Sequence, residues 1–135
     1  MLPLMTIVVG FVPSAEGEAA MKTAVEEARL RKEPILVVNV GQSNAASDPK
    51  FLHESGVQQV KNRADALGIT VEVEQYVRGR DAAEEIVDAA ERVGAKLIVV
   101  GLRRRSATGK LLFGSQAQRI LLDAECPVLA VKAPH

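Results

Sequence analysis

Five short apolar runs, at residues 5–9, 35–40, 69–77, 97–100 and 128–131, punctuate the chain, and the segments between them are long enough to hold helices. In those segments apolar residues return at helical spacing. Met21, Ala24, Val25 and Ala28 share one face in the first, Val57, Val60, Ala64 and Leu67 in the second, and Ile86, Val87, Ala90 and Val93 in the third. The order is therefore βαβαβαβαβ. Continuous β-branched runs belong to parallel sheets buried on both faces, whereas the third run, "ITVEVEQYV", alternates apolar and polar residues and so exposes one face. This predicts a doubly wound α/β protein, a three-layer sandwich with an open parallel sheet and the third strand at its edge. A chain of 135 residues, 47% hydrophobic, builds one core, so residues 1–135 are read as a single domain.

Local signals agree with this frame. Gly68 and Gly94 stand where helix C-caps are expected. Asp81 followed by Glu84, and Ser115 followed by Gln118, are capping-box patterns that start the third and fourth helices. Residues 41–49, "GQSNAASDP", read as a mobile loop before the second helix.

The charges balance at 17 against 17, so no global field points to a nucleic acid or a membrane surface, and any electrostatic function is local. The single cysteine, Cys126, precludes an internal disulfide and fits a reducing compartment. Residues 1–9 are apolar but lack a basic leader and run straight into the first strand. A cytoplasmic protein without a membrane span is expected.

In open α/β sheets ligands bind beyond the carboxyl ends of the strands, where successive connections switch faces. The segment after the fourth strand, "GLRRRSATGKLLFGSQAQRIL" at 101–121, is the longest of these loops and the richest in glycine and arginine. It reads either as a pocket for an anionic group, with Gly114 and Ser115 at a helix N-terminus whose free N–H groups attract phosphate, or as a solvated basic loop with Ser115 a plain N-cap. A P-loop is excluded, because the places for its first glycine and for the Ser or Thr after its lysine hold Arg104 and Leu111. A phosphoacceptor receiver domain is excluded too: the first strand ends in Gly10, Phe11 and Val12 and the third in Val77 and Arg78, with no carboxylates to hold a cation. His53 and His135 have no evident nucleophile beside them, Cys126 before Pro127 reads as a small buried hydrophobe, and no metal-ligand spacing occurs. Binding is favoured over turnover.

The whole chain resembles a single-domain universal stress protein. The residues that carry the likeness are "IVVGFVPSAEGEAA", "EEARLRKEPILVVNV", "GRDAAEEIVDAAERVGAKLIVVGLRRR" and "GKLLFGSQAQRILLDAECPVLAVK". The resemblance implies a five-stranded parallel sheet of order 3-2-1-4-5 with helices on both faces, and a homodimer formed through the last strand. It also implies an adenine-nucleotide site, ATP or AMP, with a G-x2-G-x9-G-[S/T] signature after the fourth strand. Gly101 matches the first glycine, and Gly114 with Ser115 match the closing pair, while Arg104 replaces the second glycine. Val12 stands where nucleotide-binding members usually carry an aspartate, and Ala117 where a second hydroxyl residue often follows. Val40 matches a position whose backbone faces adenine.

The candidate nucleotide-binding residues are thus Val12, Pro13, Val40, Gly101, Arg103, Arg104, Gly114, Ser115 and Gln116. Arg104 either obstructs the backbone cradle or grips a phosphate in the lost glycine's place. Val128, Leu129, Ala130 and Val131 carry no charge, a poor composition for an exposed edge, and are the candidate dimer interface. The expected function is a regulatory module binding an adenine nucleotide or related phosphate ligand. The alternatives are a nucleotide-free dimerisation module whose arginine loop meets a protein partner, and a slow ATP hydrolase or phosphotransferase.

Overall fold

The computed structural model describes residues 6–41, 51–103 and 114–134. Its elements run β1 (Ile7–Gly10), α1 (Ala15–Arg31), β2 (Ile35–Val40), α2 (Glu54–Ala66), β3 (Val71–Tyr76), α3 (Ala82–Val93), β4 (Leu97–Leu102), α4 (Ser115–Asp123) and β5 (Val128–Lys132). The strands form one sheet of order β3-β2-β1-β4-β5, and every pairing is parallel.

Strand alternation sorts the apolar side chains into two cores. Ile7, Val9, Ile35, Val37, Leu97 and Val99 face one way and meet Ala20, Met21, Ala24 and Ala28 of α1 and Val60 and Ala64 of α2. Val8, Leu36, Val38, Ile98 and Val100 face the other way and meet Ala83, Ile86, Ala90 and Val93 of α3 and Ile120 of α4. Two helices thus cover each face, and the connections change faces where the sheet order reverses, between β1 and β4.

The alternating third strand lies at an edge, as expected. The last run, despite its continuous apolar character, is the other edge, and Val128, Leu129, Ala130 and Val131 are each only half-buried. Leu67 leaves the α2 stripe: the helix ends at Ala66, and Leu67 becomes an exposed cap residue.

The C-terminal glycines behave as read. Gly94 caps α3 in the left-handed region, and Gly68, at φ 71°, follows the end of α2. Neither capping box forms. Asp81 is the N-cap of α3 but its side chain makes no cap bond, and α4 takes Gly114 rather than Ser115 as its N-cap. A side-chain cap does form at the head of α1, where the Ser14 hydroxyl accepts from the Gly17 N–H at 3.2 Å. Most of the loop at 41–49 lies outside the described residues.

Candidate functional site

Beyond the carboxyl ends of β1, β2 and β4 lies a cleft of about 650 Å³. Its floor is Gly10, Val38, Val40 and Val100, and its walls are the first turns of α1, α3 and α4. Three helix N-termini converge here because each of those helices follows a strand of a parallel sheet, and so begins at the same end.

The structure brings together Val12, Val40, Gly101, Arg103, Gly114, Ser115 and Gln116 around this cleft. Pro13 does not join them; it is exposed on the turn before α1. Arg104 lies outside the described residues.

Gly101 carries a second constraint that the nucleotide signature does not express. A Cβ built on it would stand 2.0 Å from the Glu16 carbonyl oxygen, so the end of β4 and the first turn of α1 touch backbone to backbone. Gly17 is held the same way, with a would-be Cβ at 1.8 Å from the Val12 carbonyl oxygen. Gly114, by contrast, has nothing within 4 Å of that position.

Two carboxylates line the cleft that the sequence reading missed, Glu16 and Asp81, and each is paired. Arg103 donates from Nε to Glu16 Oε1 at 2.9 Å, and Arg119 of α4 pairs with Asp81. The Glu16 side chain is 15% exposed. Burial alone would raise its carboxyl, but hydrogen bonds from its own backbone N–H, the Ser14 hydroxyl and the Arg103 guanidinium together hold it below the ordinary glutamate range. Arg103 is therefore committed to a carboxylate of the protein rather than presented alone to a ligand. Because the folded Glu16 titrates lower than the unfolded one, its contribution to stability is fully present above the ordinary carboxyl value and is lost as the pH falls through the folded value. Thermal melts across the acid range are expected to lose this increment in Glu16→Gln, giving the variant a shallower acid limb than wild type.

The β1 exit is fixed from behind by Asn39, a fully buried side chain in β2. Its Nδ2 donates to the Phe11 carbonyl at 2.9 Å, and its Oδ1 accepts from the Leu52 N–H at 2.8 Å and from Gln75 Nε2 at 3.1 Å. One amide thus ties the cleft wall to the approach to α2 and to the edge strand.

Below the cleft wall, the buried carboxylate of Glu85 takes two bonds from Arg78, each of 2.6 Å, and one from Arg80 at 3.1 Å. This holds the turn between β3 and α3 and keeps the first turn of α3 at the cleft. Cys126 is half-buried, and burial pushes its thiol up, away from the reactive thiolate. Among the described residues no three His, Cys, Asp or Glu side chains gather as metal ligands do, and no described helix is long and apolar enough to cross a membrane.

An open parallel sheet in this order, with its cleft over the reversal between β1 and β4, defines the doubly wound class of α/β proteins. Within that class the chain belongs to the universal stress protein family, whose profile matches residues 4–132. It is 42% identical over 129 residues to a universal stress protein of Mycolicibacterium smegmatis, an alignment covering 96% of this chain and 98% of the relative. Other relatives are longer, and the chain spans about half of their length. Among solved structures, a universal stress protein from Archaeoglobus fulgidus is 35% identical, with a TM-score of 0.79 over 95% of this chain and 98% of that one. The universal stress protein from the same organism solved in complex with dAMP is 29% identical, with a TM-score of 0.72 over 98% of this chain and 100% of that one.

Proposed function

We propose that this protein is a regulatory module that binds an adenine nucleotide in the cleft over the β1/β4 reversal. The observation that carries the reading is convergence: residues 12, 40, 101 and 114–116, separated in sequence, line one cavity whose volume of about 650 Å³ suits a nucleotide. The relative solved with dAMP supports the same ligand class. In this reading Val40 lies against the base, and the N–H groups at the start of α4 meet phosphate. The commitment of Arg103 to Glu16 leaves less positive charge for phosphates and favours a ligand of low charge, AMP rather than ATP. Mass spectrometry of the purified protein after gentle denaturation is expected to detect a released adenine nucleotide. A ligand-free protein that also fails to take up AMP when it is supplied contradicts the reading.

A second role rests on a separate observation, the half-buried apolar edge Val128–Val131. We propose that β5 pairs with its copy in a homodimer, which satisfies the edge and covers those side chains. Light scattering is expected to give twice the chain mass at micromolar concentration, and Leu129→Lys to shift the protein toward monomer. A wild-type protein that stays monomeric under those conditions rules the interface out.

A further inference from the structure

Gln116 lines the cleft, yet its side chain is already engaged in another task. Its Oε1 accepts from the Ala83 N–H at 2.9 Å, supplying from α4 the cap that Asp81 does not supply to α3. The Asp81 carboxylate is instead held by Arg119, which also stands 3.9 Å from Glu84. Gln116 and Arg119 are three residues apart and so share one face of α4. Together they clasp the first turn of α3.

α4 needs such a clasp. It is 9 residues long, only Ile120 among them is buried, and its N-cap Gly114 offers no side-chain bond. A helix this short with one buried residue is weakly anchored by packing, so the direction of its first turn is set by polar contacts. Because Ala83 donates, the acceptor oxygen of the Gln116 amide must be the atom turned toward α3.

We infer that Gln116 is a positioning residue: it docks the first turn of α4 on α3, so that the N–H groups of residues 114–115 are directed at the cleft before a ligand arrives. This rests on the nucleotide reading above. It assigns Gln116 a different part from the direct nucleotide contact expected from the sequence, and the two parts predict opposite behaviour for one substitution. Gln116→Glu keeps an oxygen acceptor for Ala83 but removes the amide donor and adds a negative charge, which a phosphate touching residue 116 would not tolerate.

The experiment is calorimetric titration of wild type, Gln116→Leu and Gln116→Glu with AMP, together with hydrogen exchange at the Ala83 amide. Gln116→Leu is expected to bind about three- to tenfold more weakly, the range that one net hydrogen bond commands, and to exchange faster at Ala83. Gln116→Glu is expected to restore the protection of Ala83 and, at high salt, where repulsion between the added carboxylate and the phosphate is screened, to bind more tightly than Gln116→Leu. Binding by Gln116→Glu as weak as by Gln116→Leu at high salt, with Ala83 still protected, overturns the inference in favour of direct contact. Unchanged affinity in Gln116→Leu overturns it as well. If wild type binds no AMP, the nucleotide reading fails and takes the positioning role with it; faster Ala83 exchange in Gln116→Leu then identifies the clasp as an element of the fold alone.

Discussion

Gly17→Ala and Gly101→Ala are each expected to lower stability by about 3 kcal/mol, a drop in Tm on the order of 10 °C for a domain of this size. Two effects oppose one another at Gly17. It lies in α1, where alanine would ordinarily gain about 1 kcal/mol over glycine. The added Cβ, however, would sit 1.8 Å from the Val12 carbonyl oxygen, a backbone atom that cannot rotate away, so the overlap wins. At Gly101 the obstacle is the Glu16 carbonyl oxygen at 2.0 Å, and relieving it requires α1 to shift from β4. Gly114→Ala is the control. Its Cβ meets nothing within 4 Å, and the cost is that of a poorer N-cap, about 1 kcal/mol or less. Thermal melts of the three variants check this, and equal losses in all three would contradict the backbone contacts. The same geometry separates two uses of the glycine signature: Gly101 is required by packing at the base of the cleft, whereas Gly114 is free of that demand.

Asn39→Leu is expected to cost a similar amount, about 3 kcal/mol. The exchange keeps the branching and heavy-atom count of the side chain, so the loss comes chiefly from polar groups left without that partner, the Phe11 carbonyl and the Leu52 N–H, while the Gln75 amide keeps its 2.7 Å bond to the Leu52 carbonyl. Each buried unpaired group costs about 1–3 kcal/mol, offset in part where water reaches it. Chemical denaturation gives the value, and a loss below about 1 kcal/mol would mean that those groups find other partners. Because Phe11 lines the cleft, the variant should also bind nucleotide more weakly than its residual folded fraction explains.

The fold was legible in the sequence because it rests on periodicity. The run 97–100, and 35–40 but for Asn39, are apolar since they are covered on both faces, and "ITVEVEQYV" alternates since it is not. Strand order is a long-range property, and composition alone could not place Val128–Val131 at an edge; the family resemblance carried that information. The capping boxes failed for a related reason. Asp81 and Ser115 stand at the right local spacing, but the Asp81 carboxylate is taken by Arg119 and the Ala83 N–H by Gln116, partners more than 30 residues away.

The site was legible in part. Gly114 and Ser115 were marked by their place at a helix start after the fourth strand, and Gly101, Val12 and Val40 by the family resemblance. Nothing local joins Glu16 to Arg103, 87 positions apart, so the carboxylate in the cleft had no signature. Gly17 did leave a trace, a glycine inside an otherwise helical segment, which is compatible with the close approach of the Val12 backbone found there.

The most direct test of the central claim is amide chemical-shift mapping during titration of wild type with AMP. The largest changes are predicted at Gly10, Val12, Gly17, Val40, Gly101 and the 114–117 turn, around the cleft. The second cavity, of about 470 Å³ at the opposite end of the sheet and lined by Arg29, Lys32 and Leu67, serves as an internal reference and should stay silent. Changes centred on that cavity, or no changes at saturating AMP, would contradict the account.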